Sequence, residues 1–439
     1  MIKHIFKQIW AQRKYNAWIY IELMLVFVLV WVVADYAFIS IHNRCIPRGF
    51  DADNTYMIRY GIYGNETSRY NASENDSLKV MENLDLFLNK IKAYKNVETT
   101  ALTYTGWGST PFSGSNNQSS IVNANDSTKE INAQVKNVFS GDFFRIFRYA
   151  PYKDNSWKRI ANMDLRQNNS VFITRQVERK IFGNQSAIGK KVFADIGEGK
   201  QEYIVAEVLN DQKRFDYTLP YGAIFGASPI PNPKNLGPFG VCLRTKNGVS
   251  ERQFIADFRK EMTKQLQIGN FYLKDIQSFS SIKAETDYAF GVTNEIRTRA
   301  ALMLFFLLNI ALGIIGTFWF RNQTRRGEIG LRMAMGSTSG TLQSQFIIEA
   351  FILLTLAVIP AILINFFIIR ANVIKPDMDI MMEYKTIKGS PYITQNAPLR
   401  FLITNLITYV FLGIIVALSA WIPAYNASKV HPVDALRDE

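Results

Sequence analysis

Four apolar runs of membrane length, with one long polar interval between the first and second, constrain this chain more than any other feature. A helix needs about 20 apolar residues to cross the hydrocarbon core of a bilayer. Ala17–Ile41, Arg299–Phe320, Phe346–Ile369 and Phe401–Ile422 reach that length with hardly a charge inside them. The interval from His42 to Thr298 is polar, rich in Asn, Ser and Tyr, and contains no further run of this kind. The pattern is that of an integral membrane protein with one span, a large polar domain and then three spans. The first run is too long for a removable signal peptide and lacks a small-residue cleavage site.

The net charge of +13 over 439 residues first suggests nucleic acid or anionic lipid as a partner. Its distribution removes the need for nucleic acid. Residues 1–16 carry Lys3, Lys7, Arg13 and Lys14 with no acid, and residues 321–342 carry four arginines against Glu328 alone. Both segments are short and flank apolar runs, so the positive-inside rule places them in the cytosol. Four spans then return the tail, 423–439, to the same side, and residues 42–298 lie outside. The loop 371–400 also has four basic residues, balanced by three acids, so charge supports this orientation without deciding it alone.

In residues 1–16, Ile2, Ile5, Phe6, Ile9 and Trp10 share one helical face, with Lys3, Lys7 and Lys14 off it. The spacing predicts an amphipathic helix lying in the headgroup layer and leading into the first span. Trp18, Tyr20 and Tyr36 suit the aromatic belts of that span, 17–41. The large domain, 42–298, alternates strand-like stretches (NTYMIRYGIY, INAQVKNVFS, SVFITR, QEYIVAEVLN, GVCLRTKNG) with helix-like ones (SLKVMENLDLFLNKIKAYKN, ERQFIADFRKEMTKQL). That alternation predicts a mixed α/β domain of two subdomains. Residues 106–128 read as a polar loop or an excursion between subdomains. The fold class is thus an α-helical membrane protein with four transmembrane helices, arranged 1 + 3, and a large mixed α/β domain between the first and second.

Polar residues inside the spans are functional candidates. Glu22 lies about a turn from the cytosolic end of the first span, where it either acts or pairs with a base such as Arg13. In the second span, 299–320, Gly313 and Gly316 offer close approach to a neighbour, and Asn309 reads as helix–helix glue, as does Asn405 in the fourth span, 401–422. Glu349 sits near the cytosolic end of the third span, 343–370, either anchoring the preceding connection or bonded to nearby backbone.

Chemistry carried by the chain itself is scarce. GNQSAIGKK (Gly183–Lys191) imitates a phosphate-binding loop, but five residues separate its glycines where four are needed, and Lys191 stands where Ser or Thr belongs. Cys45 and Cys242 form no CxxC or Cys/His cluster, so metal binding is not expected; both fall in the outer section, which leaves a disulfide open. No triad, metal cluster or nucleotide motif supports an enzyme on a membrane anchor.

The connection RRGEIGLRMAMGSTSGTLQSQFIIEAFIL is the most specific stretch. It resembles the run R-x-x-E-I-G-[IL]-R-x-A-x-G-A, followed by Q-F-x-x-E, of the ABC transporter permeases of the MacB/FtsX type. Arg325, Glu328, Ile329, Gly330, Arg332, Ala334, Gly336 and Glu349 match. The tail, through Pro423, Ala424, Ala427, Ser428, Pro432, Val433, Ala435, Leu436 and Arg437, is similar to the family's ending. FSGDFFRIF, VFITRQVERKIFG, AIGKKV and YIVAEVLND resemble, in order, the family's outer-domain pattern, with Ala187, Glu207 and Val177 departing from it.

The resemblance covers essentially the whole chain, and it implies a division of labour. A separate ATPase subunit, with ATP and Mg on that partner and no cofactor on this chain, would drive a non-catalytic permease. Residues 321–342 would be the coupling helix, with Arg325, Arg326, Glu328 and Arg332 making polar contacts and Gly330 and Gly336 allowing close approach; charge alone fixing topology is the plainer reading. The permeases of the family pair, so a homodimer or a heterodimer with a related permease is implied. The setting is a bacterial inner membrane with the large domain in the periplasm and both termini in the cytosol. ATP-driven motion would reach that domain as mechanotransmission, for export of a peptide, an antibiotic-like compound or a lipoprotein through a periplasmic adaptor and outer-membrane channel. The alternative is an FtsX-like signal transmitter that switches a periplasmic hydrolase or senses a ligand and transports nothing.

Overall fold

The computed structural model describes residues 13–105, 110–112, 118–139, 141–197, 199–228, 232–324, 331, 335–371, 373–374 and 392–427. The amphipathic segment predicted within 1–16 therefore lies almost entirely outside the described residues. The chain divides into a helical unit and a unit built from Asn43–Thr293.

The helical unit is formed by four helices long and apolar enough to cross a membrane. The first-span helix runs Arg13–Cys45, the second Val292–Thr324, the third Ser339–Arg370 and the fourth Ala397–Ala427. Each extends beyond its apolar run. Ile19, Leu23, Phe27 and Val30 recur at helical spacing and form the buried stripe of the first span. They share a core with Ala350, Leu353, Leu354, Ala357 and Ala361 of the third span and Leu412, Val416 and Ala420 of the fourth. The alanines let backbones approach where lipid supplies no hydrophobic drive for association. Close approach is tightest at Gly413, where an added Cβ would stand 3.1 Å from the Phe351 ring. Gly313 and Gly316, expected to serve this purpose, have nothing within 4 Å of an added Cβ. The reason is that the second span buries little beyond Ile314 and leaves Leu304, Phe305, Leu308 and Leu312 exposed. Pro360 lies inside the third-span helix, where its ring removes one backbone hydrogen bond.

The α/β unit has two parts. β1 (Thr55–Ile62) and β2 (Val97–Tyr104) belong to a four-stranded antiparallel sheet, joined by α1 (Ser77–Lys92), whose N-cap Asp76 accepts from the Leu78 amide. The chain then leaves the sheet for a closed barrel made of β3 (Gln118–Asn123), β4 (Asp126–Val138), β5 (Ser170–Thr174), β6 (Lys191–Asp195), β7 (Lys200–Leu209) and β8 (Ala223–Ala227). Around the barrel the order is β3-β4-β8-β5-β7-β6, with β4–β8 and β5–β7 parallel and β3–β6 closing the ring. Closure leaves no free strand edge. The short helices within this excursion include α2 (Phe143–Phe147) and α3 (Arg175–Phe182). β9 (Phe239–Thr245) returns to the sheet between β1 and β2; α4 (Glu251–Gln265), β10 (Phe271–Ser278) and α5 (Phe279–Ala289) follow, giving the order β10-β1-β9-β2.

Strand alternation splits the sheet between two cores. Tyr56, Ile58 and Tyr60 of β1, with Val241 and Leu243 of β9, pack against Leu84, Phe87 and Ile91 of α1 and Phe254, Phe258 and Met262 of α4. Met57, Ala101 and Cys242 face the other way, into the phenylalanines of α2. The barrel has its own aliphatic core, including Val135, Val171, Ile173, Val205 and Ile224.

Of the two readings of residues 106–128, the excursion between subdomains fits the described residues and the polar loop does not, because Gln118–Asn123 and Asp126–Val138 pair as an antiparallel hairpin of the barrel from Gln118↔Gln134 onward. Ser119, Ile121 and Val122 are buried there, and the many Asn and Ser residues hid the alternation. Cys45 is exposed and Cys242 buried, and both thiols are free, so no disulfide joins them.

Candidate functional site

The expected coupling residues Arg325, Arg326, Glu328, Gly330 and Arg332 lie outside the described residues. Their flank is described. The Met335 amide donates to the Leu331 carbonyl at 3.1 Å, one helical turn, and Gly336 follows at φ +92°, the left-handed conformation that ends a helix most easily with glycine. Two residues on, Thr338 caps the third-span helix by accepting from the Thr341 amide. Leu331 and Met335, four apart on that turn, are 52% and 72% exposed.

The polar residues inside the spans take different partners. Thr317 of the second span donates to both carboxylate oxygens of Glu22, at 3.0 and 3.1 Å. Glu349 is buried at 4% exposure. Asn365 Nδ2 donates to Asn405 Oδ1 at 3.0 Å, and Asn405 Nδ2 donates to the Phe401 carbonyl, so this pair joins the third and fourth spans. Asn309 instead donates to the Phe305 carbonyl of its own helix.

Sequence reading passed over two buried charges of the helical unit. Asp35 of the first span, 0% exposed, faces Arg400 at the head of the fourth, 4% exposed, with Nε 3.2 Å from Oδ1. Arg400 Nη1 also donates to the Thr394 carbonyl at 3.1 Å. One turn along, Trp31 Nε1 donates to Thr404 Oγ1 at 3.0 Å. The signal was present: Asp35 is the one acid in WVVADYAF, and Arg400 the base that opens the last apolar run. An apolar groove of about 660 Å³ opens between the third and fourth spans, lined by Ile362, Phe366, Phe401, Leu402 and Leu406 with Arg370 at its rim.

Residues 300–432, which hold the second, third and fourth spans and the connection between them, match the FtsX-like permease C-terminal family. Over this segment the chain is similar to the FtsX-like permeases. The chain is 24% identical, over 69% of its length, to the macrolide export ATP-binding/permease protein MacB of Salmonella choleraesuis, of which it covers 43%. It is 26% identical to the Campylobacter jejuni protein of the same name over 29% of its own length and 17% of that protein. The chain thus spans less than half the length of the curated relatives it matches. The periplasmic region of MacB from Actinobacillus actinomycetemcomitans is similar at 13% identity, covering 55% of this chain and 95% of that one with a TM-score of 0.30.

Proposed function

We propose that the permease is the membrane subunit of an ABC complex in a bacterial inner membrane, driven by a separate ATPase subunit that binds ATP and Mg. The observation that carries this reading is the match of residues 300–432 to the FtsX-like permease family. The names of the relatives, in which export, ATP binding and permease occur together, support it. On this reading the ATPase docks on 321–342. Arg325, Arg326, Glu328 and Arg332 supply charged contacts, and the exposed pair Leu331 and Met335 supplies an apolar one. Two copies, or this chain and a related permease, pair around two ATPases. The large domain works in the periplasm, with both termini in the cytosol, and hands an exported compound to a periplasmic adaptor.

Reversing charge at Arg325, Arg326 and Glu328 together reduces co-purification with the ATPase and abolishes the stimulation of its turnover. Both at the level of the unaltered protein, in a chain that still inserts, refute the docking assignment. A membrane-impermeant thiol reagent added outside reaches a cysteine placed at 115 and not one placed at 337; the reverse inverts the topology.

A further inference from the structure

The α/β unit begins at Asn43, so it includes the last residues of the first-span helix, and within that unit a short strap, residues 213–217, that no motif marks holds the segment Asn43–Arg48. A helix leaves its last carbonyls without partners inside the helix. Here the Lys213 ammonium takes up one of them and the turn that follows: Nζ donates to the carbonyl of Asn43, in the last turn, and to that of Ile46, just past the helix, at 2.6 Å each, and to the Asp216 carbonyl at 3.1 Å. All three protons of the ammonium are used. Lys213 is 1% exposed. Two more bonds fasten the same segment, one from the Lys213 amide to the Arg48 carbonyl at 3.1 Å and one from the Asn43 side-chain Nδ2 to the Tyr217 carbonyl at 3.1 Å.

Asp216 extends the strap to the other side. Its Oδ1 accepts from Arg48, with Nη2 at 2.7 Å and Nε at 2.9 Å. Its Oδ2 takes Lys283 Nζ at 3.0 Å, and Lys283 belongs to α5, the helix immediately before the second span. One carboxylate is therefore shared by a cation three residues beyond the first-span helix and a cation on the approach to the second. The strap also packs on the end of α5: Phe215 lies 5.7 Å from Phe290 between ring centroids, and the Arg214 guanidinium sits 4.5 Å above the Phe290 ring. These side chains are largely buried, with 25% of Asp216 and 16% of Lys283 exposed, so salt screens them less than a surface pair.

The charge balance fits a fixed joint. Burial draws the Lys213 ammonium down to about 8, and the charge of Asp216 works against that fall. Burial alone would raise the Asp216 carboxyl, yet the hydrogen bonds from Lys283 and Arg48 hold it below the usual carboxylate value.

We infer that Lys213 and Asp216 are positioning residues: they lock the outer end of the first-span helix and the helix entering the second span onto one strap, so the two are displaced together. The locking is a property of this chain alone; that it conveys ATP-driven motion to the large domain rests on the ABC reading above. An ion pair kept only for stability would not need one acid to serve both approaches.

The test uses the full chain in lipid nanodiscs without any ATPase, so it does not depend on the ABC reading. A nitroxide on the native exposed Cys45 and one on Asn184→Cys, on the barrel, report the first-span side; Cys242 is buried and stays unlabelled. Nitroxides on Tyr288→Cys and Asn184→Cys, in a Cys45→Ser background, report the second. Each pair gives one narrow distance distribution in the otherwise unaltered chain. Asp216→Ala loses the narrow distribution in both pairs, Asp216→Glu regains it, Arg48→Gln loses it on the first side only and Lys283→Met on the second only. Narrow distributions in Asp216→Ala overturn the inference. So does broadening of both sides by Arg48→Gln alone, which remains readable if Asp216→Ala fails to fold.

Discussion

Asp35 and Arg400 meet at 3.2 Å inside the helical unit, one from the first span and one from the fourth, and neither exposes more than 4% of its surface. Removing one partner of a buried pair strands the other charge, at about 3–5 kcal/mol. Arg400→Met or Asp35→Leu should each lower the thermal unfolding temperature of the purified protein sharply. The double variant Asp35→Leu/Arg400→Met should recover most of the loss, because no lone charge remains. Strictly additive losses would show that the two residues act independently.

Asn365 and Asn405 join the third and fourth spans through one buried hydrogen bond. Interhelical hydrogen bonds in membranes average about 0.6 kcal/mol, with a ceiling near 1.7. A double-mutant cycle with Asn365→Leu and Asn405→Leu, read by unfolding in detergent, should give a coupling of about that size. A coupling several times larger would mean that the pair holds more than the two helices together.

The α/β unit should weaken as pH rises through 6. Burial pushes the Asp211 carboxyl up to about 6, against the hydrogen bonds from Gln176. A folded-state value above the unfolded one, about 3.9, means that the folded chain holds the proton more tightly. This contribution is fully present below about pH 4 and is lost as pH climbs past 6, at most about 3 kcal/mol in total. Asp211→Asn should flatten that part of the stability profile and raise the unfolding temperature at pH 8. An unchanged profile would place the titration on another group.

Much of this architecture was legible in the sequence, for physical reasons. Apolar length alone marked the four spans, and period-two alternation marked β1, β4, β5, β7 and β9. β3 (Gln118–Asn123), the partner of β4 in the barrel hairpin, escaped because Ser and Asn stand even at its buried positions, at Ser119 and Asn123. Gly313 and Gly316 misled because a glycine permits close approach without supplying the neighbour. Asp35 and Arg400 escaped because one lies deep in a run read as apolar and the other at a loop boundary. Lys213 and Asp216 were illegible, since their meaning depends on segments 165 or more residues away in the chain, at Asn43, Ile46 and Arg48.

On the proposed function, the connection between the second and third spans docks an ATP-hydrolysing subunit. A photo-reactive amino acid in place of Met335, which is 72% exposed, tests it most directly. Irradiation of membranes containing the whole complex should yield one adduct, between the permease and its ATPase, whose yield changes with nucleotide. Adducts only to lipid or to a second copy of the permease, in membranes where the ATPase is present and active, would contradict the account.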